Sequence, residues 1–296
     1  MYPIAFHIGS FAVHWYGVFI GIGFLVSFGL LMKIRKYASL TTDQIYNISM
    51  IALFAGVIGA RLFYVIQFRD QFAGRGILNM LNVHNGGLVF YGGFILAFTA
   101  ECIYAKWHSI RRLFSSRDEE QTDGGGDKKP TKDISLLALL DVLGPAMALA
   151  HAFGRVSCFM QGCCFGKPAP SGFPLAVRFP EGSPAANVYY STNSDGSLPV
   201  YPVQLFESAG NLLICVALLL LLRKRKYAGT VGGVYLVLYG VMRFLLEFMR
   251  GDHKDSILGL TPSQFIAVAL AIPGGIIVYL LALKLGRRKE KESADA

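Results

Sequence analysis

Charged residues are scarce in this sequence of 296 residues, and their scarcity excludes an ordinary soluble domain. Only 16% of the residues are Asp, Glu, Lys or Arg, whereas soluble domains carry about 25%. Hydrophobic residues make up 53% of the chain. The formal net charge of +9 does not indicate a partner of nucleic acid, because the basic residues fall between apolar runs and not on one polar domain. The composition favours a protein whose solvent is the lipid bilayer.

Cysteine is also scarce, and the start of the sequence lacks a processing signal. Five cysteines at uneven spacing are too few for a disulfide scaffold. Residues 1–17 contain no basic n-region and no small-residue cleavage site, so we expect no removable signal peptide. The first apolar segment is therefore predicted to remain as a membrane-spanning helix.

Several apolar segments are long enough to cross a membrane, since about 20 helical residues span about 30 Å of hydrocarbon. The seven predicted spans are 12–32, 46–66, 87–106, 135–153, 204–222, 230–249 and 263–285. Most of the 28 lysines and arginines fall in alternate loops between these segments. The positive-inside rule makes those loops cytoplasmic, which puts the N-terminus outside and the C-terminus inside. We predict an all-α polytopic membrane protein with seven transmembrane helices and an irregular external domain.

The predicted organisation is a single integral membrane domain over residues 1–296. Residues 113–134 are polar, glycine-rich and of mixed charge, which is typical of a mobile cytoplasmic loop. Residues 155–203 are rich in Pro, Gly, Ser and Asn and are predicted to form an external segment on the substrate side. Residues 286–296 are predicted to form a cytoplasmic tail.

Three arginines lie within or directly after apolar segments: Arg61, Arg155 and Arg243. An arginine inside a bilayer is costly unless it is paired and faces protein or water, so each is expected to face inward. Guanidinium groups bind phosphate bidentately, and the abundant phosphate of a membrane is the phospholipid headgroup. The residues alone therefore predict a site for an anionic phospholipid. They do not establish whether the lipid reacts.

Two of these arginines also allow a structural interpretation. Arg243, Glu247 and Arg250 have i, i+4 and i+7 spacing and form one polar stripe if the sixth helix includes all three. Arg243 and Glu247 then form either an internal ion pair or part of the anion site. Arg61 likewise either pairs within the protein or binds the anion.

Other polar residues lie close to Arg155 in the sequence or at the same predicted depth. His151 shares a face with Arg155 if the fourth helix persists to that point. Tyr16 is either an interfacial anchor or a hydroxyl that contacts substrate. Cys158, Cys163 and Cys164 lack the paired C-x2-C arms of a zinc site, so packing, a disulfide bond and participation in chemistry are the alternatives. We predict no metal site and no cofactor.

The stretch GRVSCFMQGCCFGKP, residues 154–168, resembles the signature of the phosphatidylglycerol–prolipoprotein diacylglyceryl transferase family. The similarity extends to HWYG, GARLFYV, GGLVFYGG, Asp141 with Pro145, YPVQLFE and YGVMRFLLEFMR, in that order along the chain. The resemblance implies transfer of the diacylglyceryl group of phosphatidylglycerol to the lipobox cysteine of a prolipoprotein. It also implies a multi-pass protein of the bacterial cytoplasmic membrane, with an active site that faces the outer leaflet.

The resemblance implies roles for individual residues. Arg155 is expected to bind the lipid phosphate, and Arg243 to be essential, with Glu247 orienting it. The implied substrate-binding residues are Arg155, Tyr16, Arg61, Gly154, Gly166, Asp141, Cys158 and Cys163. The implied catalytic residues are Arg243, Tyr91, His151 and Glu247.

The chain departs from the family pattern at four positions. Tyr91 and Tyr201 stand where many members have histidine, and Cys158 and Cys163 stand where many have Asn and Glu. A tyrosine with a pKa of about 10 is a poor base at neutral pH. The base is therefore expected to be His151, or Tyr91 activated by the arginines. The alternative functions are a phospholipid-binding or transport protein without catalysis, and a transferase with a different acceptor.

Overall fold

The computed structural model describes residues 4–9, 11–72, 89–114, 134–190, 196–252 and 259–294. The described chain is mostly helical and separates into two compact units. The first unit comprises Met1–Ala38 and Leu137–Ala296, and the second unit comprises Ser39–Leu136.

The first unit begins with a β-hairpin, an element that the sequence does not predict. Strand β1 (Ile4–Ile8) pairs antiparallel with β2 (Phe11–His14). Gly9 between them has a φ of +61°, which glycine adopts without steric cost. Helix α1 (Trp15–Ile34) follows without a polar break, which explains why the predicted first span began too early, at residue 12.

The remaining elements are mostly helices. They are α2 (Thr42–Gln67), α3 (Arg69–Phe72), α4 (Phe90–Phe114), α5 (Leu136–Gln161), α6 (Pro184–Val188), α7 (Val203–Lys224), α8 (Thr230–Glu247), α9 (Pro262–Ile266), a π-helical turn (Ala267–Ala271) and α10 (Ile272–Ala294). Within the described ranges, six helices are long and apolar enough to cross a membrane. The third predicted span corresponds to α4, which is 25 residues long but is not one of these six.

Several helix ends differ from the predicted ones. Helix α5 continues to Gln161, so Arg155 lies on a helix and not in the external segment. Helix α8 ends at Glu247, so Arg250 lies beyond the helix that was predicted to carry it. Helix α10 includes most of the predicted cytoplasmic tail. The predicted mobile loop at 113–134 falls almost entirely outside the described residues.

The long helices of the first unit pack closely through polar and small residues. The Ser208 hydroxyl on α7 donates a hydrogen bond of 2.9 Å to the Ala152 carbonyl on α5. A Cβ added at Gly233 on α8 would lie 2.8 Å from the Gly275 carbonyl oxygen on α10, so a larger residue does not fit there. Close backbone approach at small residues is typical of helices packed within membranes.

The segment between α5 and α7 has a small core of its own. Phe165, Phe179, Ala185 and Val200 form a buried apolar cluster. The backbone of this segment also binds the chain just after α8, through hydrogen bonds from Lys167 N to Met249 O (2.8 Å) and from Gly251 N to Phe165 O (3.0 Å). The segment is therefore fixed to the end of α8 that carries Arg243 and Glu247.

The second unit is built on an antiparallel pair, α2 and α4. The Val89 amide donates to the Ala60 carbonyl at 3.0 Å, and near the other end the Asn47 side chain donates to the Tyr104 hydroxyl at 3.0 Å. A Cβ added at Gly93 would lie 2.6 Å from the Gly56 carbonyl oxygen. Gly92 and Gly93, the last two glycines of GGLVFYGG, therefore serve close helix packing.

Candidate functional site

Arg155 forms an ion pair between two helices of the first unit. Its Nε lies 3.0 Å from Oε1 of Glu207, near the start of α7. Glu207 is buried, whereas 22% of the Arg155 side chain is exposed. The neighbouring hydrogen bond from Ser208 to Ala152 holds the two helices together at this level. The arginine is thus fixed by a carboxylate and still accessible from one side.

Arg243 is held by an acid on its own helix and by a hydroxyl on another. Its Nη1 lies 2.5 Å from Oε2 of Glu247, and its Nη2 donates a hydrogen bond of 2.9 Å to Ser263 Oγ at the start of α9. Thr261 and Gln264 form a capping box that begins α9. The predicted Arg243–Glu247 pair is confirmed, and both side chains are buried.

Tyr239 lies near both arginines. It lies one turn before Arg243 on α8, and its hydroxyl lies within electrostatic range of Arg155, Arg243 and Glu207. The ring of His151 lies 5.1 Å from the Tyr239 ring, and its Nδ1 lies 3.3 Å from the Tyr235 hydroxyl. Helix α5 runs through both His151 and Arg155, so the condition under which these two side chains share a helix face is met. We call the group of Arg155, Glu207, Tyr239, Arg243 and Glu247 the arginine cluster.

A third arginine lies beside this cluster after the end of α8. Arg250 donates from Nε to Asp252 Oδ1 (2.9 Å) and from Nη2 to Oδ2 (2.7 Å), a bidentate pair. Its Nε also lies 3.9 Å from Glu247 Oε2. Arg250 lies in a turn after the end of α8, and its amide donates to the Glu247 carbonyl. This turn keeps the Arg250 side chain close to Glu247, as the predicted polar stripe requires.

Three cysteines at and just after the end of α5, Cys158, Cys163 and Cys164, lie together near Arg155. All five cysteines of the chain are free, so the disulfide alternative is wrong for this structure. The Cys158 and Cys163 side chains hydrogen-bond to Cys164 and lower the pKa of its thiol, and the positive charges of Arg250 and Arg155 lower that pKa further. Tyr16, which is 41% exposed at the start of α1, lies within electrostatic range of the three cysteines and of Arg155.

The two predicted glycines have different surroundings. A Cβ added at Gly154 would meet no atom within 4 Å, so the space beside Arg155 is open on that side. A Cβ added at Gly166 would lie 2.5 Å from the Tyr201 carbonyl oxygen, and the Gly166 amide donates to that oxygen at 3.2 Å. Close packing therefore accounts for a glycine at position 166, and its role in substrate binding stays a prediction.

Asp141 lies away from the arginine cluster, and its role in substrate binding stays a prediction. Its carboxylate accepts hydrogen bonds from the amides of Gly229 (2.7 Å) and Gly232 (2.8 Å) and pairs with Arg225. Asp141 precedes His151 by ten residues on α5, about 15 Å along the helix axis. The carboxylate caps the N-terminus of α8, where the helix dipole favours a negative charge.

Arg61 and Tyr91 belong to the second unit. Arg61 is buried, and its guanidinium lies over the rings of Tyr64 and Phe72 at 5.4 and 5.5 Å from their centroids. The expectation that Arg61 faces protein is confirmed. Tyr91, on α4, is 45% exposed. The convergence of these two residues with Arg155 stays a prediction.

Three residues of the site were not among the predicted site residues: Glu207, Tyr239 and Ser263. A buried acid in an apolar helix requires a cationic partner, and this rule could have indicated Glu207. Tyr239 has i, i+4 spacing with Arg243 and shares its helix face. For Ser263 the sequence gives only its position in a helix start, so its bond to Arg243 depends on tertiary packing.

Comparisons with known proteins identify the family of the chain. The chain resembles the phosphatidylglycerol–prolipoprotein diacylglyceryl transferase of Clostridium tetani, with 30% identity over 93% of this chain and 95% of the relative. The protein of that name from Clostridium botulinum strain Langeland is 33% identical, covering 98% and 99% of the two chains. The one from Finegoldia magna is 28% identical, covering 97% and 99%. Because the profile described as prolipoprotein diacylglyceryl transferase also matches residues 3–117 and 128–280, this chain is a member of that family of polytopic membrane proteins.

Proposed function

We propose that this protein transfers the diacylglyceryl group of phosphatidylglycerol to the thiol of a lipobox cysteine in a prolipoprotein. The products are a thioether-linked lipid and glycerol phosphate. The observation that carries the proposal is the arginine cluster, because Arg155 and Arg243 are both paired with buried carboxylates on otherwise apolar helices, and Tyr239 lies within electrostatic range of both. The names of the relatives support the donor and the acceptor.

The proposed topology has seven spans, with the N-terminus outside the bacterial cytoplasmic membrane and the arginine cluster toward the outer leaflet. Arg155 and Arg243 lie toward the C-terminal ends of α5 and α8, and Glu207 lies near the start of α7. The basic run at residues 223–226 lies between the opposite ends of α7 and α8. The positive-inside rule assigns that basic run to the cytoplasm, which supports an outward-facing cluster. Helix α4 supplies the seventh span.

Arg155 is proposed to bind the phosphate of the lipid headgroup. Its side chain is 22% exposed, compared with 10% for Arg243 and 5% for Arg250, so it is the most accessible of the three. Glu207 pairs with the Nε of its guanidinium and keeps the group in one orientation. The open space beside Gly154 supports entry of a headgroup on this side.

Arg243 is proposed to stabilise the charge that develops on the leaving phosphate. Glu247 and Ser263 fix its guanidinium from two directions, so little reorganisation is needed during reaction. In the proposed step the acceptor sulfur forms a bond to the glycerol carbon, and the carbon–oxygen bond to phosphate breaks. The electron pair of the broken bond stays on the phosphate oxygen, and glycerol phosphate leaves.

A base must remove the proton of the acceptor thiol, whose ordinary pKa is about 8.5. His151 is proposed for this role, because its ring packs on Tyr239 and is held near the Tyr235 hydroxyl, one turn from Arg155 on the same helix. Tyr91 is the alternative base.

The test uses the full-length protein in detergent with phosphatidylglycerol and a peptide that carries a lipobox cysteine. Mass spectrometry of the peptide is expected to show the added diacylglyceryl group. The change Arg155→Ala or Arg243→Ala is expected to abolish the product, because the phosphate loses its cationic partners. Arg288→Ala is the matched control, since Arg288 lies in an exposed pair with Glu292 at the far end of α10.

Binding of phosphatidylglycerol without thioether formation by the unchanged protein would contradict the proposal and favour a lipid-binding protein without catalysis. Loss of product in Arg288→Ala equal to that in Arg155→Ala would contradict the assignment of the site.

A further inference from the structure

Three cysteine side chains converge just beyond the end of α5. The Sγ atoms of Cys158, Cys163 and Cys164 all lie within 4.8 Å of one another, and none is in a disulfide bond. Only two of these residues are adjacent in the sequence, so the convergence depends on the turn between them.

Backbone conformation explains why the sequence spacing did not predict this cluster. Helix α5 ends at Gln161, and Gly162 and Cys164 then have φ values of +71° and +59°. The Cys163 amide donates to the Cys158 carbonyl at 3.1 Å, and the Gln204 side chain donates to the Cys163 carbonyl at 2.8 Å. The chain thus turns back on the helix end, and all three sulfurs lie on one side of it.

The spacing of the sulfurs suits a single metal ion. Thiolates bound to one Zn²⁺ at about 2.3 Å are separated from each other by about 3.8–4.0 Å. The present limit of 4.8 Å is within reach of that spacing by small side-chain rotations. A disulfide would engage only two of the three sulfurs.

The charges around the cluster also suit an ion bound by three thiolates. Three thiolates and one divalent cation carry a net charge of −1. The positive charges of Arg155 and Arg250 lie within electrostatic range of Cys164, and Arg155 is also near Cys158. Two guanidinium groups therefore lie where they would stabilise the anionic complex.

We infer that Cys158, Cys163 and Cys164 form a binding site for a thiophilic divalent cation, Zn²⁺, with a fourth coordination position open to a thiolate. Three protein ligands with one exchangeable position are typical of reactive zinc sites, whereas structural sites have four. Thiolate is a preferred ligand of such ions.

The identity of the fourth ligand rests on the proposed function, under which it is the acceptor cysteine of the prolipoprotein. Its binding replaces the S–H bond by a sulfur–metal bond, and the proton passes to His151, the proposed base. The acceptor sulfur then lies beside Arg155, the proposed phosphate ligand.

The first experiment uses Co²⁺ as a spectroscopic probe with the reduced full-length protein in detergent. One Co²⁺ per chain is expected to give thiolate-to-cobalt charge-transfer absorption that Zn²⁺ abolishes by displacement. Cys164→Ser is expected to weaken Co²⁺ binding at least about tenfold. Cys102→Ser, which changes a free cysteine of the second unit, is the matched control and is expected to bind normally.

The second experiment avoids substitutions, so it does not depend on the folding of a variant. Zn²⁺ is expected to protect the three clustered cysteines of the unchanged protein from alkylation, as read by mass spectrometry, and to leave Cys102 unaffected. Absence of stoichiometric Co²⁺ binding, equal alkylation with and without Zn²⁺, or a disulfide within the cluster would each overturn the site.

Transfer activity separates this inference from the proposed function. Protein stripped of metal that still forms the thioether at the full rate would overturn the open-position step and leave the proposed function standing. Protein that binds the ion but forms no thioether, either in its metal-loaded or in its metal-free form, would overturn the proposed function. The metal site would then still stand.

Discussion

The two ends of the helices in the first unit both contain buried arginine–carboxylate pairs, but the pairs have different partners. At one end, Asp141 accepts two backbone hydrogen bonds from the start of α8 and pairs with Arg225, which also donates to the Tyr37 carbonyl. At the other end, Glu207 and Glu247 pair with Arg155 and Arg243. The first acid secures a helix end, whereas the latter two acids orient guanidinium groups.

Accessibility distinguishes the two ends further. The Asp141 carboxylate is fully buried, and protein groups contact both of its oxygens. The Arg155 side chain keeps 22% of its surface exposed beside the open space at Gly154. An arginine–carboxylate pair therefore stabilises helix packing at the Asp141 end. At the Arg155 end, the same kind of pair orients a guanidinium group that a ligand can reach.

The largest expected effect comes from changing the shape of the arginine at each end without changing its charge. Arg155→Lys keeps a cation beside Glu207 but loses the planar fork that binds phosphate, so transfer activity should fall about 10²–10³-fold. Arg225→Lys should keep the specific activity of the folded protein. The measurement is the transfer rate with phosphatidylglycerol and a lipobox peptide. Equal rate losses in Arg155→Lys and Arg225→Lys would contradict a functional difference between the two helix ends.

A second prediction concerns the base at the arginine-cluster end. His151→Phe preserves an aromatic ring against Tyr239 and removes the proton acceptor, so the rate should fall about 10²-fold. Tyr91→Phe is the comparison variant in the second unit. Full activity of His151→Phe together with inactivity of Tyr91→Phe would transfer the role of base to Tyr91.

A third prediction concerns stability at the Asp141 end. Asp141→Asn leaves Arg225 without its buried acid and weakens the cap of α8, so the free energy of unfolding should fall by about 3 kcal/mol. Denaturation in mixed detergent micelles with increasing SDS measures this loss. The folded fraction of Asp141→Asn should keep its transfer rate. A rate loss as large as that of Arg155→Lys would instead support the predicted role of Asp141 in substrate binding.

The smallest predicted effects come from two glycines. Gly154→Ala should leave stability unchanged, because its Cβ meets nothing within 4 Å, and should raise the KM for phosphatidylglycerol a few-fold if the lipid uses that space. Gly166→Ala should instead lower the melting temperature, because its Cβ would press on Tyr201. An unchanged KM in Gly154→Ala would show that the headgroup lies elsewhere.

Much of the helical frame could be predicted from the sequence because apolar length alone specifies a membrane span. The Arg243–Glu247 pair could be predicted as well, since i, i+4 spacing on one helix fixes its geometry. The N-terminal hairpin could not be predicted. Its second strand is followed directly by α1, so the strand and the helix look like one apolar segment in the sequence.

Contacts between distant parts of the sequence account for the rest. Glu207 lies 52 positions after Arg155, and only the packing of α7 on α5 joins them. The family resemblance implied a site role for Asp141, but a motif does not show that its partners are backbone amides of another helix. The cysteine cluster depends on two backbone φ values that residue spacing does not specify.

The small core of the segment between α5 and α7 has a practical consequence for mapping membrane sidedness. Pro170, Ser171 and Gly172 form an exposed turn at one edge of this segment, away from Phe165 and Phe179. An epitope inserted in that turn would leave the helices and their ion pairs in place. Whether an antibody binds it on intact spheroplasts would directly report which face of the cell envelope this part of the protein occupies.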